Sequence, residues 1–191
     1  MKHALCWTFI LLVACSQQEP SPQIVDDPVK KMRESGSKID SLGTNNIAAG
    51  DTINMDRGLT VIERQVTIPR QVQGEIFAWE FYAKTINPVK LVVVRFDEDK
   101  EHFELVGESR LTVPAQQGVN RLALREPIPV QFGDMIGLYQ PEASVVPFKK
   151  INNHKTFITA KPFSRALRPR SQFSIYGWRY SFHVFYKIIE D

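Results

Sequence analysis

The chain has 191 residues, 24 Lys and Arg against 21 Asp and Glu, and a formal charge of +3 that hides its distribution. Residues 16–142 carry −5, residues 143–189 carry +9 without a single acid, and the last two residues carry −2. No internal repeat or low-complexity tract is visible, and no segment after the first fourteen residues is long and apolar enough to cross a bilayer as a helix, which excludes a repeat array and a helical membrane protein.

The chain opens with a short basic start, Met1-Lys2-His3, and an eleven-residue apolar run from Ala4 to Ala14. Such a run is too short for a membrane span and has the length of a signal-peptide core. Two processing readings compete. Ala14 and Ser16 suit an ordinary cut before Gln17, which predicts a soluble exported protein. The other reading starts from Leu12-Val13-Ala14-Cys15, which resembles the lipobox of bacterial lipoproteins. That resemblance implies a lipidated Cys15 at the new N-terminus, and Ser16 after it implies sorting to an outer membrane. Two or more acyl chains anchor stably, because each buried methylene contributes about 0.8 kcal/mol. The only other cysteine, Cys6, lies in the leader, so the mature chain is expected to have no disulfide.

Residues 15–50 follow as the lipidated cysteine and a polar, proline-containing stretch that reads as a flexible tether reaching on the order of 30 Å. Within it, Asp27, Pro28 and the glycine at 36 mark the cap, first turn and stop of one short helix.

From 51 to 191 the pattern changes to short runs of Val, Ile, Phe and Tyr between Gly, Pro, Asn and charged clusters, with no long helical period. The expected strands are 59–68, 75–84, 90–96, 103–108, 111–113, 120–124, 128–131, 135–139, 156–160 and one long run, 173–189. Their spacing predicts a single all-β domain, an antiparallel β-sandwich, of a size that buries roughly two thirds of its unfolded surface. Alternation places Phe77, Trp79 and Phe81 on one face, and the unbroken run Leu91 to Val94 reads as a central strand covered on both sides. Gly133-Asp134 reads as a tight turn and Gly137 as a bulge or a close backbone approach.

The run "GEIFAWEFYAK", then "KLVVVRF", "FELVGES" and "GVNRLALREPIPVQFGDMIGLY", resembles the jelly-roll sandwiches of the galactose-binding-domain-like kind. The resemblance covers about 74–139, a pattern of strands and turns without a catalytic signature. It implies an extracellular module that binds sugars, although fold is a poor guide to function.

Three groups of residues are candidates for chemistry. The first is basic: Lys149, Lys150, Lys155, Lys161, Arg165, Arg168, Arg170 and Arg179. If their loops converge they form a patch for phosphate, sulfate or carboxylate groups; otherwise they are a solvated face balanced by the acidic strands. The second is the aromatic alternation Tyr176, Trp178, Tyr180, Phe182, Val184 and Tyr186 on one face, with Gly177, Arg179, Ser181, His183 and Lys187 on the other; it serves a half-buried strand and also suits a platform for sugar rings, with Tyr176 the candidate ligand ring. The third is Asp97, Asp99 and Glu101, whose alternation at a hairpin tip offers oxygen ligands to a structural calcium ion, the one cofactor the chain suggests; the plainer reading is a charged, soluble tip.

Enzyme signals are thin. The mature chain offers no thiol, G-x-S-x-G elbow, H-E-x-x-H or phosphate-binding glycine loop, and His102, His154 and His183 lack metal-ligand spacing. A carboxylate pair brought together from separate strands is the remaining route to a hydrolase. The expectation is a non-catalytic binding module displayed at the cell envelope that recognises carbohydrate or anionic glycan. It touches the membrane through its lipid only and binds no nucleic acid. The alternative is a structural or assembly subunit docking another envelope protein.

Overall fold

The computed structural model describes residues 27–44, 46–50, 58–163 and 167–189. Cys15 with its lipobox, and Arg165, lie outside the described residues.

The expected short helix is present as α1 (Pro28–Glu34), with the Asp27 carboxylate accepting the Val29 N–H at 3.0 Å and Pro28 in the first turn. Gly36, at φ +77°, ends it in the left-handed region that glycine tolerates. Thirteen strands occur among the described residues. They are β1 (Ile39–Gly43), β2 (Leu59–Thr67), β3 (Gln73–Ala83), β4 (Lys90–Asp97), β5 (His102–Glu108), β6 (Gly118–Gln131) and β7 (Met135–Gln140). There follow β8 (Phe148–Lys150), β9 (Thr156–Thr159), β10 (Arg168–Pro169), a 3-10 turn (Arg170–Gln172), β11 (Ser174–Tyr176), β12 (Trp178–Tyr180) and β13 (Phe182–Ile188).

These strands pair antiparallel into a four-stranded sheet ordered β1-β13-β3-β6, a seven-stranded sheet ordered β10-β5-β4-β7-β2-β9-β11, and a two-stranded ladder of β8 and β12. The protein is an all-β antiparallel sandwich, as its alternation predicts. Between the sheets lies the main core, where Trp79, Phe81, Phe182, Val184 and Tyr186 of the smaller sheet meet Leu59, Val61, Leu91, Val93, Ile136 and Leu138 of the larger. Gly137 is the close approach its strand context suggested: a Cβ there would collide with the Val61 carbonyl, so β7 and β2 meet this tightly only through glycine.

The larger sheet is buried on its other face as well. Ile62, Val94, Phe103, Met135 and Phe157 pack under Phe163 and Phe173, which come from the connection between β9 and β11. This is why Leu91 to Val94 are apolar without alternation.

Four expectations change. The stretch 15–50 is not a tether throughout, because Val29, Met32 and Ile39 pack on Phe77, Ala78 and Phe185, and β1 pairs with β13 from Ile39↔Lys187 to Gly43↔His183. Asp27 also reaches Arg121 Nη1 at 2.6 Å, and Arg121 Nε reaches Glu80 Oε2 at 2.6 Å, which ties the start of the helix to the sheet. Phe77 does not share a face with Trp79 and Phe81: a bulge between Ile76 and Ala78 turns it outward onto α1. The expected strands 120–124 and 128–131 are one strand, β6, while 111–113 contributes a single bridge, Val89↔Thr112.

The fourth change is the largest. The run 173–189 is three strands in three pairings: β11 on β9, β12 on β8, and β13 between β1 and β3. At the breaks the backbone bonds elsewhere. Gly177 O accepts the Ile151 N–H at 2.7 Å, and the Ser181 N–H donates to Pro147 O at 3.0 Å. The chain thereby passes from one sheet to the other across the mouth of the sandwich.

Candidate functional site

That crossing assembles part of the basic set. In the β8–β12 ladder Phe148 pairs with Tyr180, and both are buried, which fixes the parity of the strands. The intervening pair, Lys149↔Arg179, is therefore exposed, with two cations directly opposite each other. Like charges in that relation repel by roughly 0.2–1 kcal/mol in the free protein. One residue further, Lys150 pairs with Trp178.

The rings form a stack that rises out of the core. Phe148 lies 4.2 Å from Trp178 at 16°, and Trp178 lies 4.2 Å from Tyr176 at 21°. Tyr176 is 40% exposed while Phe148 is 4% exposed, so the outermost ring is presented to solvent on a rigid support. Lys155 joins from the turn before β9. The Arg64 N–H donates to its carbonyl at 3.0 Å, which sets Arg64 and Lys155 opposite each other at the end of the β2–β9 pairing. Among the described residues, no acid forms an ion pair with Arg64, Lys149, Lys150, Lys155 or Arg179.

Beneath this surface sits a residue that sequence reading passed over. Glu63 is fully buried, accepts the Tyr180 N–H through Oε1, and contacts His154 Nε2 through Oε2 at 3.1 Å. Burial pushes its carboxyl above the ordinary range, against the opposing pulls of His154, the Tyr180 N–H and the Arg179 charge. It clamps β2 to β12 and to the turn that carries His154. The signal was available: Leu59, Val61 and Glu63 share the inward parity of β2, so a carboxylate there needs partners.

The remaining candidates are placed differently. Lys161 lies on the connection after β9, its carbonyl accepting the Thr60 hydroxyl at 2.8 Å. Arg168, in β10 against Phe103 of β5, donates to the Pro162 carbonyl at 2.6 Å and Gln172 Oε1 at 3.3 Å, which ties down the connection that covers the second core. Arg170 lies 4.0 Å from Glu101 and 5.9 Å from the Phe157 ring centroid. The basic set is thus divided: Lys149 and Arg179 share one face of the β8–β12 ladder, Lys150 lies on the opposite face with Trp178 and the ring stack that ends in Tyr176, and Lys155 stands at the turn before β9, while Lys161, Arg168 and Arg170 belong to the cover.

Comparison of the chain with protein-family models, with curated proteins and with solved structures finds no match.

The aromatic alternation resolves by depth. Tyr180, Phe182, Val184 and Tyr186 are core, as is Trp79 at 1% exposure, which leaves Tyr176 as the ring open to a ligand. The calcium reading of Asp97, Asp99 and Glu101 gains no geometry. Asp97 is engaged by the Lys100 N–H at 3.1 Å and Nζ at 2.8 Å, Glu101 faces Arg170, and no metal-holding group of His, Cys, Asp or Glu occurs among the described residues.

Proposed function

We propose that this protein is a non-catalytic binding module of the cell envelope that takes acidic glycan on the strip formed by Lys149, Lys150, Lys155, Arg179 and Tyr176. The observation that carries this reading is the exposed Lys149↔Arg179 pair, two facing cations with no ion-pairing acid among the described residues; the supported exposed ring, Tyr176, stands on the Lys150 face of the same ladder. An anionic group between the two cations relieves their repulsion and gains charge-assisted bonds, bidentate from the arginine. A sugar ring stacks on Tyr176, whose orientation is already fixed by Trp178. An open strip on short strands suits a length of polymer better than an enclosed small molecule.

The test is binding of the exported chain to sulfated or uronic-acid polysaccharide and to a neutral polysaccharide. Acidic polymer is expected to bind and to be released by salt, because the strip is exposed and its charges are screened. Reversing both cations, Lys149→Glu with Arg179→Glu, is expected to weaken binding about a hundredfold, and Tyr176→Ala about fivefold. Equal binding of the neutral polymer, or no effect of the double reversal, rejects the reading. Loss of glycan binding in favour of an envelope protein crosslinked through the same strip would move the function to the docking alternative.

Display at the membrane in this reading rests on the lipobox. The mature N-terminus is expected to be a lipid-modified Cys15 by mass spectrometry. A free or cyclised Gln17 would make the protein soluble instead.

A further inference from the structure

A second concavity lies away from the aromatic stack, on the outer face of the seven-stranded sheet where the Phe163 and Phe173 cover stops. It is a groove of about 800 Å³, within the range of small-molecule sites. Its floor is apolar: Phe157 and Met135 are 5% and 6% exposed. Phe132 stands at its rim, 53% exposed, with the Arg70 guanidinium 5.8 Å from its ring centroid. An exposed phenylalanine on the tight turn at Gly133 adds nothing to either core, which makes it available to a ligand.

Charge divides the two walls. On the β2 side stand Arg64 and Thr67, and Arg64 has no ion-pairing acid among the described residues. On the β4–β5 side stand Glu98 and Glu101, with Arg170 held 4.0 Å from Glu101. Between them, Arg95 is pinned by the fully buried Asp134 through two bonds of 2.8 and 3.1 Å, so its charge is already answered. Strand β7 separates β2 from β4, which puts the walls roughly 10 Å apart. The groove therefore has an apolar floor, with Arg64 on one side, Arg70 at the Phe132 rim, and Glu98 and the Arg170-paired Glu101 on the other.

We propose that this groove is a distinct site for a small monoanionic ligand with an aromatic or apolar ring body. The ring lies on Phe157 and Met135 against Phe132, and the carboxylate or sulfonate faces Arg64. A second negative charge on the ligand would meet Glu98 and Glu101, so a polyanion is disfavoured here although it suits the strip. The two sites recognise different chemistry, and the groove does not depend on the glycan reading.

The probe is 8-anilinonaphthalene-1-sulfonate, a ring body with one anion whose fluorescence rises on leaving water, compared with the uncharged N-phenyl-1-naphthylamine. On the natively folded full chain the anionic dye is expected to bind one site per chain, at least about tenfold tighter than the neutral dye. Arg64→Ala and Phe132→Ala, both exposed positions whose folding is checked by circular dichroism, are each expected to weaken it about fivefold or more. Lys149→Ala with Arg179→Ala is expected to leave it unchanged. Absence of saturable binding, equal affinity for the neutral dye, or indifference to Arg64→Ala with the fold intact overturns the proposal. If the strip variants abolish glycan binding but spare the dye, the two sites are separate; loss of both together would show one shared site and sink this one.

Discussion

Trp79→Ala is expected to lower the unfolding free energy by about 3–5 kcal/mol, the usual cost of emptying an aromatic-sized site in a packed core. The indole is 1% exposed at the centre of β3, flanked across the ladders by Leu122 and Val184, and stacked 4.4 Å from Phe81 at 20°. Its neighbours come from both sheets, so the cavity cannot close without moving one layer on the other. Domains of this kind hold only about 5–15 kcal/mol in reserve, so the loss is a large fraction of the whole. Urea denaturation followed by circular dichroism reads it directly. The comparison that gives it meaning is Tyr176→Ala, expected to cost under about 1 kcal/mol because its ring is partly exposed, while it weakens glycan binding. If Trp79→Ala left stability within about 1 kcal/mol and abolished binding, the tryptophan would be a platform and the core assignment would fail.

Glu63 supports a second expectation, in which two substitutions at one position diverge. In Glu63→Ala the Tyr180 N–H and the His154 ring are left without their partner inside the sandwich. The expected loss is about 3 kcal/mol, the cost of stranding buried polar groups. Glu63→Gln keeps the shape and both contacts, since its oxygen accepts the Tyr180 N–H and its amide faces His154 Nε2. The difference between glutamate and glutamine depends on pH. Burial raises the Glu63 carboxyl above its ordinary 4.5, so the folded state holds the proton more tightly than the unfolded chain. The stability from this group is complete below 4.5 and is lost as pH rises through the higher folded value. Glutamine has nothing to ionise. Denaturation midpoints at about pH 4, 6 and 8 are expected to show wild type falling progressively below Glu63→Gln as pH rises. Parallel profiles would mean that Glu63 ionises without penalty. Because Glu63 also holds the backbone of β12, Glu63→Ala is expected to weaken glycan binding through the loosened Arg179.

Much of this architecture was legible along the chain. Short runs of Val, Ile, Phe and Tyr between turn residues identified β2, β3, β4, β5, β7 and β9 to within a few residues, and the Asp27-Pro28 cap identified α1. Strand β1 escaped because Ile39 and Leu42 are its only apolar side chains and they serve different cores. Arg168 looked like a ligand residue, yet a guanidinium that bonds the Pro162 carbonyl is tying down its own connection.

The candidate site was half legible for the same reason. Exposure and residue type are local properties, so a run rich in lysine and arginine without acids, and an exposed ring beside it, stand out from composition and alternation alone. Which of those cations stand together is a matter of sheet order. Lys149 faces Arg179 only because residues 173–189 break at Gly177 and Ser181 and change partners, and Glu63 meets the Tyr180 N–H across 117 positions of chain. Local side-chain periodicity is set by the pleat, which repeats every two residues and leaves its mark in the sequence. Pairing between distant strands is set by how two sheets bury their faces against each other and where the backbone finds hydrogen-bond partners at the breaks. No short window of sequence contains that information, so the chain's pattern specifies strands, faces and charge, and the packed sandwich specifies the constellation.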